Sequence, residues 1–236
     1  MVPLNKIKNL YEVNFMNIFL SYPLDPNDLA WPGEPVIKVR QCTEIGDETP
    51  FNSFMSELPN HCGTHYDAPK HFNPDGLRIN ELPIDYFVFK KVLLLDIPKN
   101  ACEGVTIEDL KKHEDEIQQA DLLLIRTGFG EVRKTDPKKY QMEGPFLTPE
   151  TCLYMVNTYK NLKCVGFDFL AIGSPCNDLA APAHQNLLGL NTEKFITAIE
   201  DMNLSELKGK INFVVAAPLR IVGVDSSQVS VIADLD

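Results

Sequence analysis

No apolar run in this 236-residue chain approaches the roughly 20 residues that a helix needs to cross a bilayer. Nor is there a Lys/Arg-rich block. The net charge of −11 argues against nucleic acid or an anionic membrane as a partner. Cys-x-x-Cys pairs are missing as well. The cysteines (Cys42, Cys62, Cys102, Cys152, Cys164 and Cys176) belong to a chain too large to need a disulfide scaffold. Reduced thiols in a cytoplasm are the simplest expectation. There is no internal repeat, low-complexity tract or linker. Residues 1–15 suit neither common type of targeting peptide. We expect them to form an extension before one domain spanning 16–236, with Met16 as an alternative start. A hydrophobic share of 44% is ordinary for a globular protein.

Histidine is scarce, at five residues, yet three of them crowd into His61-Cys62-Gly63-Thr64-His65-Tyr66-Asp67-Ala68-Pro69-Lys70-His71-Phe72. So many polar groups make poor core material. Imidazole with carboxylate suits zinc, manganese or iron better than calcium. In a regular strand His61 and His65 would lie roughly 13 Å apart. Ligands about 2.0–2.1 Å from one metal cannot be so distant. The chain is therefore expected to turn here, where Gly63 permits a bend and Pro69 stops a ladder. On a turn the two histidines come within about 5–6 Å. Asp67 could bridge two ions about 3.5–4 Å apart. His71 is either a further ligand or a free acid/base imidazole.

Outside the motif, His184 is the leading distant ligand, whereas His113, in Lys-Lys-His-Glu-Asp-Glu, reads as a solvated helix face. Glu200 and Asp201 follow an apolar stretch and have no special claim from spacing. Asp168 is either a supporting residue of the site or a strand-end hydrogen bonder. Cys62 reads as packing, although zinc could recruit its thiolate. Trp31 lies in the proline-rich loop 24–35 and is read as lining a pocket. Strands are expected at 18–21, 36–44, 92–97, 122–127, 164–169, 212–222 and 228–232. Helices are expected after Thr106 and Thr148, and a second long loop over 131–146. Strands outnumber helices without alternating strictly, which favours a mixed α/β domain with a substantial sheet.

His61-x-Gly63-Thr64-His65-x-Asp67-x-Pro69-x-His71-Phe72 resembles the signature of the metal-dependent cyclase family of hydrolases. That family includes bacterial kynurenine formamidase (arylformamidase) and isatin hydrolase. Leu20-Ser21-Tyr22-Pro23-Leu24, Trp31-Pro32-Gly33-Glu34-Pro35, Arg126-Thr127-Gly128 and Gly166-Phe167-Asp168 resemble further family segments. The resemblance implies a swivelling β/β/α domain, commonly a dimer. It implies His61, His65, Asp67, His184 and Glu200 as ligands of two zinc ions, with manganese fitting the same set. The competitor for the late carboxylate is Glu193, because the interval after His184 is a few residues longer than in the formamidases. His71 is implied as the proton donor and acceptor, and Trp31 as a wall of the substrate pocket. The activity implied is hydrolysis of a small amide, foremost an aryl formamide such as N-formylkynurenine. Another lactam, lactone or amide is the alternative, and a structural or storage metal protein the non-enzyme one. Gly33-Glu34 and Ala171–Pro175 depart from the formamidase pattern and bear on substrate.

Overall fold

The computed structural model describes residues 16–28 and 30–236, so the expected 1–15 extension lies outside the described residues. Among the described residues thirteen strands run in chain order: β1 Met16–Phe19, β2 Lys38–Thr43, β3 Ser53–Glu57, β4 His65–Asp67, β5 Val88–Phe89, β6 Val92–Asp96, β7 Gly104–Val105, β8 Leu122–Arg126, β9 Phe146–Leu147, β10 Cys164–Phe167, β11 Thr197–Glu200, β12 Ile211–Pro218 and β13 Ser226–Leu235. The helices are α1 Ile107–Lys111, α2 Glu114–Ile117, α3 Val132–Thr135, α4 Pro137–Glu143, α5 Pro149–Thr158 and α6 Ala180–Leu187.

Nine strands make one mixed sheet in the order β5-β12-β13-β4-β11-β10-β8-β6, with β1 also paired to β13. The β6, β8, β10 and β11 neighbours are parallel. From β11 through β4, β13 and β12 to β5 the pairing is antiparallel. The expectation of a mixed α/β domain with a substantial sheet is borne out.

Two cores follow from strand alternation. On β8, Leu123 and Ile125 join Val165 and Phe167 of β10 under the helices, with Leu110, Met155 and Leu187. Leu122 and Leu124 face the other way, onto Tyr66, Ile199, Val214 and Val231. Burial on both faces explains why the parallel strands read as continuous apolar runs.

The 131–146 segment is a correction. It is not an open loop but carries α3 and α4. Asp136 caps α4 by accepting a hydrogen bond from the Lys139 N–H, and Pro137 occupies the first turn, where no N–H is needed. The helix expected after Thr106 is broken at His113 into α1 and α2. His113 is half-buried and pairs with Glu116 at 3.1 Å.

Candidate metal centre

Two adjoining strands, two turns and a helix build the site. His65 and Asp67 alternate on β4, so both point to one face while Tyr66 enters the core. Glu200 ends β11 directly opposite His65 in the antiparallel pair. The expected bend at 60–64 is present. Gly63 makes it with φ +68°, and a Cβ there would meet Leu24 Cδ2 at 2.8 Å. The bend returns His61 so that its ring lies 5.2 Å from that of His65. A 3-10 turn over Pro69–His71 then carries His71 back, stacked 3.9 Å from His61. His184 arrives on α6, and its ring lies 5.4 Å from that of His71.

Each of three imidazoles has one nitrogen fixed from outside and the other turned to a carboxylate. His65 Nδ1 is held by Gly63 O at 2.8 Å, and its Nε2 stands 3.1 Å from Glu200. His184 Nδ1 is held by Ala180 O at 2.7 Å, and its Nε2 stands 3.7 Å from Glu200. His61 Nε2 is held by Asp225 at 3.1 Å, and its Nδ1 stands 3.2 Å from Asp67. Outer partners of this kind fix the tautomer of a metal-binding histidine. His71 Nδ1 also bonds Asp225, at 2.9 Å, which leaves Nε2 as its other nitrogen.

The buried atoms at the centre lack hydrogen bonds. His65 Nε2 and both oxygens of Asp67 are buried and unpartnered, because their close approaches miss hydrogen-bond geometry. Such orphaned atoms are costly in a folded protein unless something else engages them. His61, His65 and Asp67 converge closely enough to share an ion, as do Asp67, His71 and His184. This donor set fits a borderline divalent cation such as zinc or manganese.

The electrostatics agree. Burial alone would lower the His61 pKa, but the Asp67 and Asp225 carboxylates outweigh it and push it up to about 10. Burial and Asp67 work against ionisation of Glu200, yet His184 and His65 bring it down to about 2. Burial opposes ionisation of Asp67 too, and His71, His61 and His65 reverse it, leaving its carboxyl well below the usual range. A cation taken up here must displace the His61 proton, which is bound below about pH 10. Uptake should therefore release protons and tighten as pH rises. Calorimetric titration in buffers of different ionisation enthalpy checks this, and pH-independent uptake would contradict it.

Trp31, Phe72, Leu170 and Ala180 join these residues around a cavity of about 340 Å³. Glu193 is exposed and outside it, so the carboxylate brought to the histidines is Glu200. Cys62 is buried with Ala30 and Ile37, as packing. Asp168 proves a strand-end hydrogen bonder, accepting from the Thr127 and Gly128 N–H groups at 2.8 and 2.9 Å.

Asp225 escaped the sequence reading. It sits just before β13, in a stretch resembling an ordinary turn, far along the chain from the motif. Asn60 donates to it at 2.6 Å. Also missed was a network beside Glu200. Arg133 bonds Asp28 at 2.8 Å and buried Asp201 at 2.9 Å, Tyr140 donates to Asp201 at 2.7 Å, and Tyr22 lies under the guanidinium at 4.0 Å. Arg133→Met leaves Asp201 buried without its cation. We expect a loss of about 3–5 kcal/mol in denaturant unfolding. A change below about 1 kcal/mol would show that this pairing is dispensable.

A mixed sheet thus presents three inward-turned imidazoles and two buried carboxylates at one pocket, the donor chemistry of a divalent-metal site. The Cyclase family model, described as "Putative cyclase", matches residues 18–174, and the chain belongs to that family. An uncharacterized protein of Haemophilus influenzae is 48% identical over 129 residues, covering 55% of this chain and 91% of its own. The kynurenine formamidase of Geobacillus thermodenitrificans is 28% identical over 218 residues, covering 90% and 94%. Isatin hydrolase A from Labrenzia aggregata, solved bound to benzyl benzoate, superposes with a TM-score of 0.79 at 22% identity, covering 98% of each chain. No helix among the described residues is long and apolar enough to cross a membrane.

Proposed function

We propose that the protein hydrolyses a small aryl amide, foremost an aryl formamide such as N-formylkynurenine. The observation carrying this reading is the convergence of His61, His65 and His184 on Asp67 and Glu200, with unpartnered buried atoms at the centre. Those five residues would hold the metal, two zinc ions first and manganese second. A bound cation supplies Lewis acidity, lowering the pKa of water and polarising a carbonyl oxygen. His71 Nε2 takes a proton from the attacking water and returns it to the leaving nitrogen. Asp225 keeps the His71 Nδ1–H oriented and stabilises the imidazolium that forms. Trp31 and Phe72 hold the aryl ring. The relatives named kynurenine formamidase support the formamide over other amides.

The test is hydrolysis of N-formylkynurenine and of isatin by metal-loaded, chelated and metal-restored protein. Metal-dependent turnover of N-formylkynurenine is expected. Turnover of isatin alone would move the substrate to a lactam. Failure on both, with metal bound, would overturn the aryl amide reading.

Asp225→Asn should lower kcat by roughly 10–100-fold or weaken metal retention by as much, since it loosens both His61 and His71. Unchanged kcat and metal content would remove Asp225 from the mechanism. We also propose a cytoplasmic homodimer. The β2–β3 hairpin supports the dimer, because Val39, Phe54 and Met55 are each half or more exposed on it. Light scattering on the purified protein checks the mass.

A further inference from the structure

The loop 24–35 supplies one wall of the pocket, with Ala30, Trp31 and Glu34 lining the cavity. Among the described residues it contains no strand or helix. Among those residues, too, the hydrogen bonds that tie it to the rest of the chain all come from α3 and α4. Arg133 grips the Asp28 carboxylate with both terminal nitrogens, Nη2 at 2.8 Å and Nη1 at 3.3 Å. Gln141 Nε2 donates to Ala30 O at 2.7 Å. Trp31 packs beside them on Phe129, Tyr140 and Leu170.

The same guanidinium also reaches the strand that carries Glu200. Arg133 Nε and Nη2 donate to the buried Asp201 carboxylate at 2.9 and 3.0 Å. Asp201 follows Glu200 at the end of β11 in a left-handed conformation, φ +52°, uncommon for a residue with a Cβ. Such a backbone persists only where its surroundings over-determine it. Arg133 and Tyr140 hold its carboxylate, and Thr64, the residue before His65, donates from Oγ1 to its carbonyl at 2.6 Å. A lysine ammonium is a compact point charge and lacks the planar fork that serves two carboxylates at once.

We propose that Arg133 is a positioning residue that braces the Trp31 wall of the pocket against the strand end bearing Glu200. Asp28 is the outer grip and Asp201 the inner one. Neither Arg133 nor Asp28 lines the cavity, so both act through the residues they hold. For its effect on turnover the proposal rests on the hydrolase reading above, whereas the brace itself is independent of substrate.

Trp31 is the only tryptophan of the chain, so its fluorescence reports the wall directly. Because Arg133→Met strands Asp201, the brace is cut at its outer end, in the full-length metal-loaded protein. Asp28→Ala removes the outer grip and keeps the Arg133–Asp201 pair. Arg133→Lys keeps a cation for Asp201 and gives up the two-pronged hold on Asp28. Each variant is expected to red-shift Trp31 emission and to raise its acrylamide quenching about twofold, as local opening of the loop exposes the indole. Metal content should stay at the wild-type level in D28A. Its KM for N-formylkynurenine should rise about tenfold with kcat within about twofold, the pattern of lost uniform binding. The double variant D28A/R133K should resemble either single one, because both cut the same link. Wild-type emission and quenching in both single variants would overturn the proposal. So would additive shifts in the double variant, or a fall in kcat of D28A with KM unchanged. If the wild-type protein turns over no aryl amide, the hydrolase reading fails, and the fluorescence of the variants still decides the brace.

Discussion

Asp67→Asn is expected to strip the protein of metal and lower turnover by roughly a thousandfold or more. The amide keeps the carboxylate's shape but not its charge. A metal's stabilisation of a transition state is worth several kcal/mol, and about 1.4 kcal/mol is a factor of ten. Asp67 is fully buried, and neither of its oxygens meets a hydrogen-bond donor. No other carboxylate stands in its place on β4 to compensate. The fold should survive, because the Tyr66 side of the strand is untouched and keeps its hydroxyl bonds to Thr197 and Tyr86 O. Metal analysis together with near-UV circular dichroism checks this. A variant that binds metal and turns over normally would remove Asp67 from the centre.

His71→Ala should lower kcat by about 10²–10⁴-fold, the usual range for loss of a positioned general acid/base. Metal content decides what the loss means. The His71 ring lies close to Asp67 and His184, so a ligand role is geometrically open. Its Nδ1 bond to Asp225 is the arrangement of a proton carrier. With full metal occupancy and slow turnover, His71 is the proton carrier. Loss of the metal would make it a ligand. Normal turnover would make it neither.

Much of the site was legible because the motif is local. His61, His65, Asp67 and His71 share one short segment, and the metal distance limit forces a bend that Gly63 can make. The parallel strands were legible for another reason. Burial on both faces demands unbroken Val, Ile and Leu, as in β8. The missed elements have weaker signals. Four-residue β11 reads only as an apolar stretch. Helix α6 is rich in small residues and contains Pro182, which reads as a breaker but sits in the first turn, where its missing N–H costs nothing. For α4 the Asp136-Pro137 start signal was present in the sequence but masked by the surrounding charges. Asp225 and Arg133 had no local signal at all. Their roles arise when β13 pairs with β4, and when α3 packs over Asp201. Long-range pairing of this kind is invisible to periodicity.

The most direct test of the central claim is metal titration of the stripped protein, following bound metal and N-formylkynurenine hydrolysis in the same samples. The account predicts stoichiometric uptake of zinc or manganese, with activity rising in step and no uptake in Asp67→Asn. Full hydrolysis by metal-free protein, or equal uptake by Asp67→Asn, would contradict it.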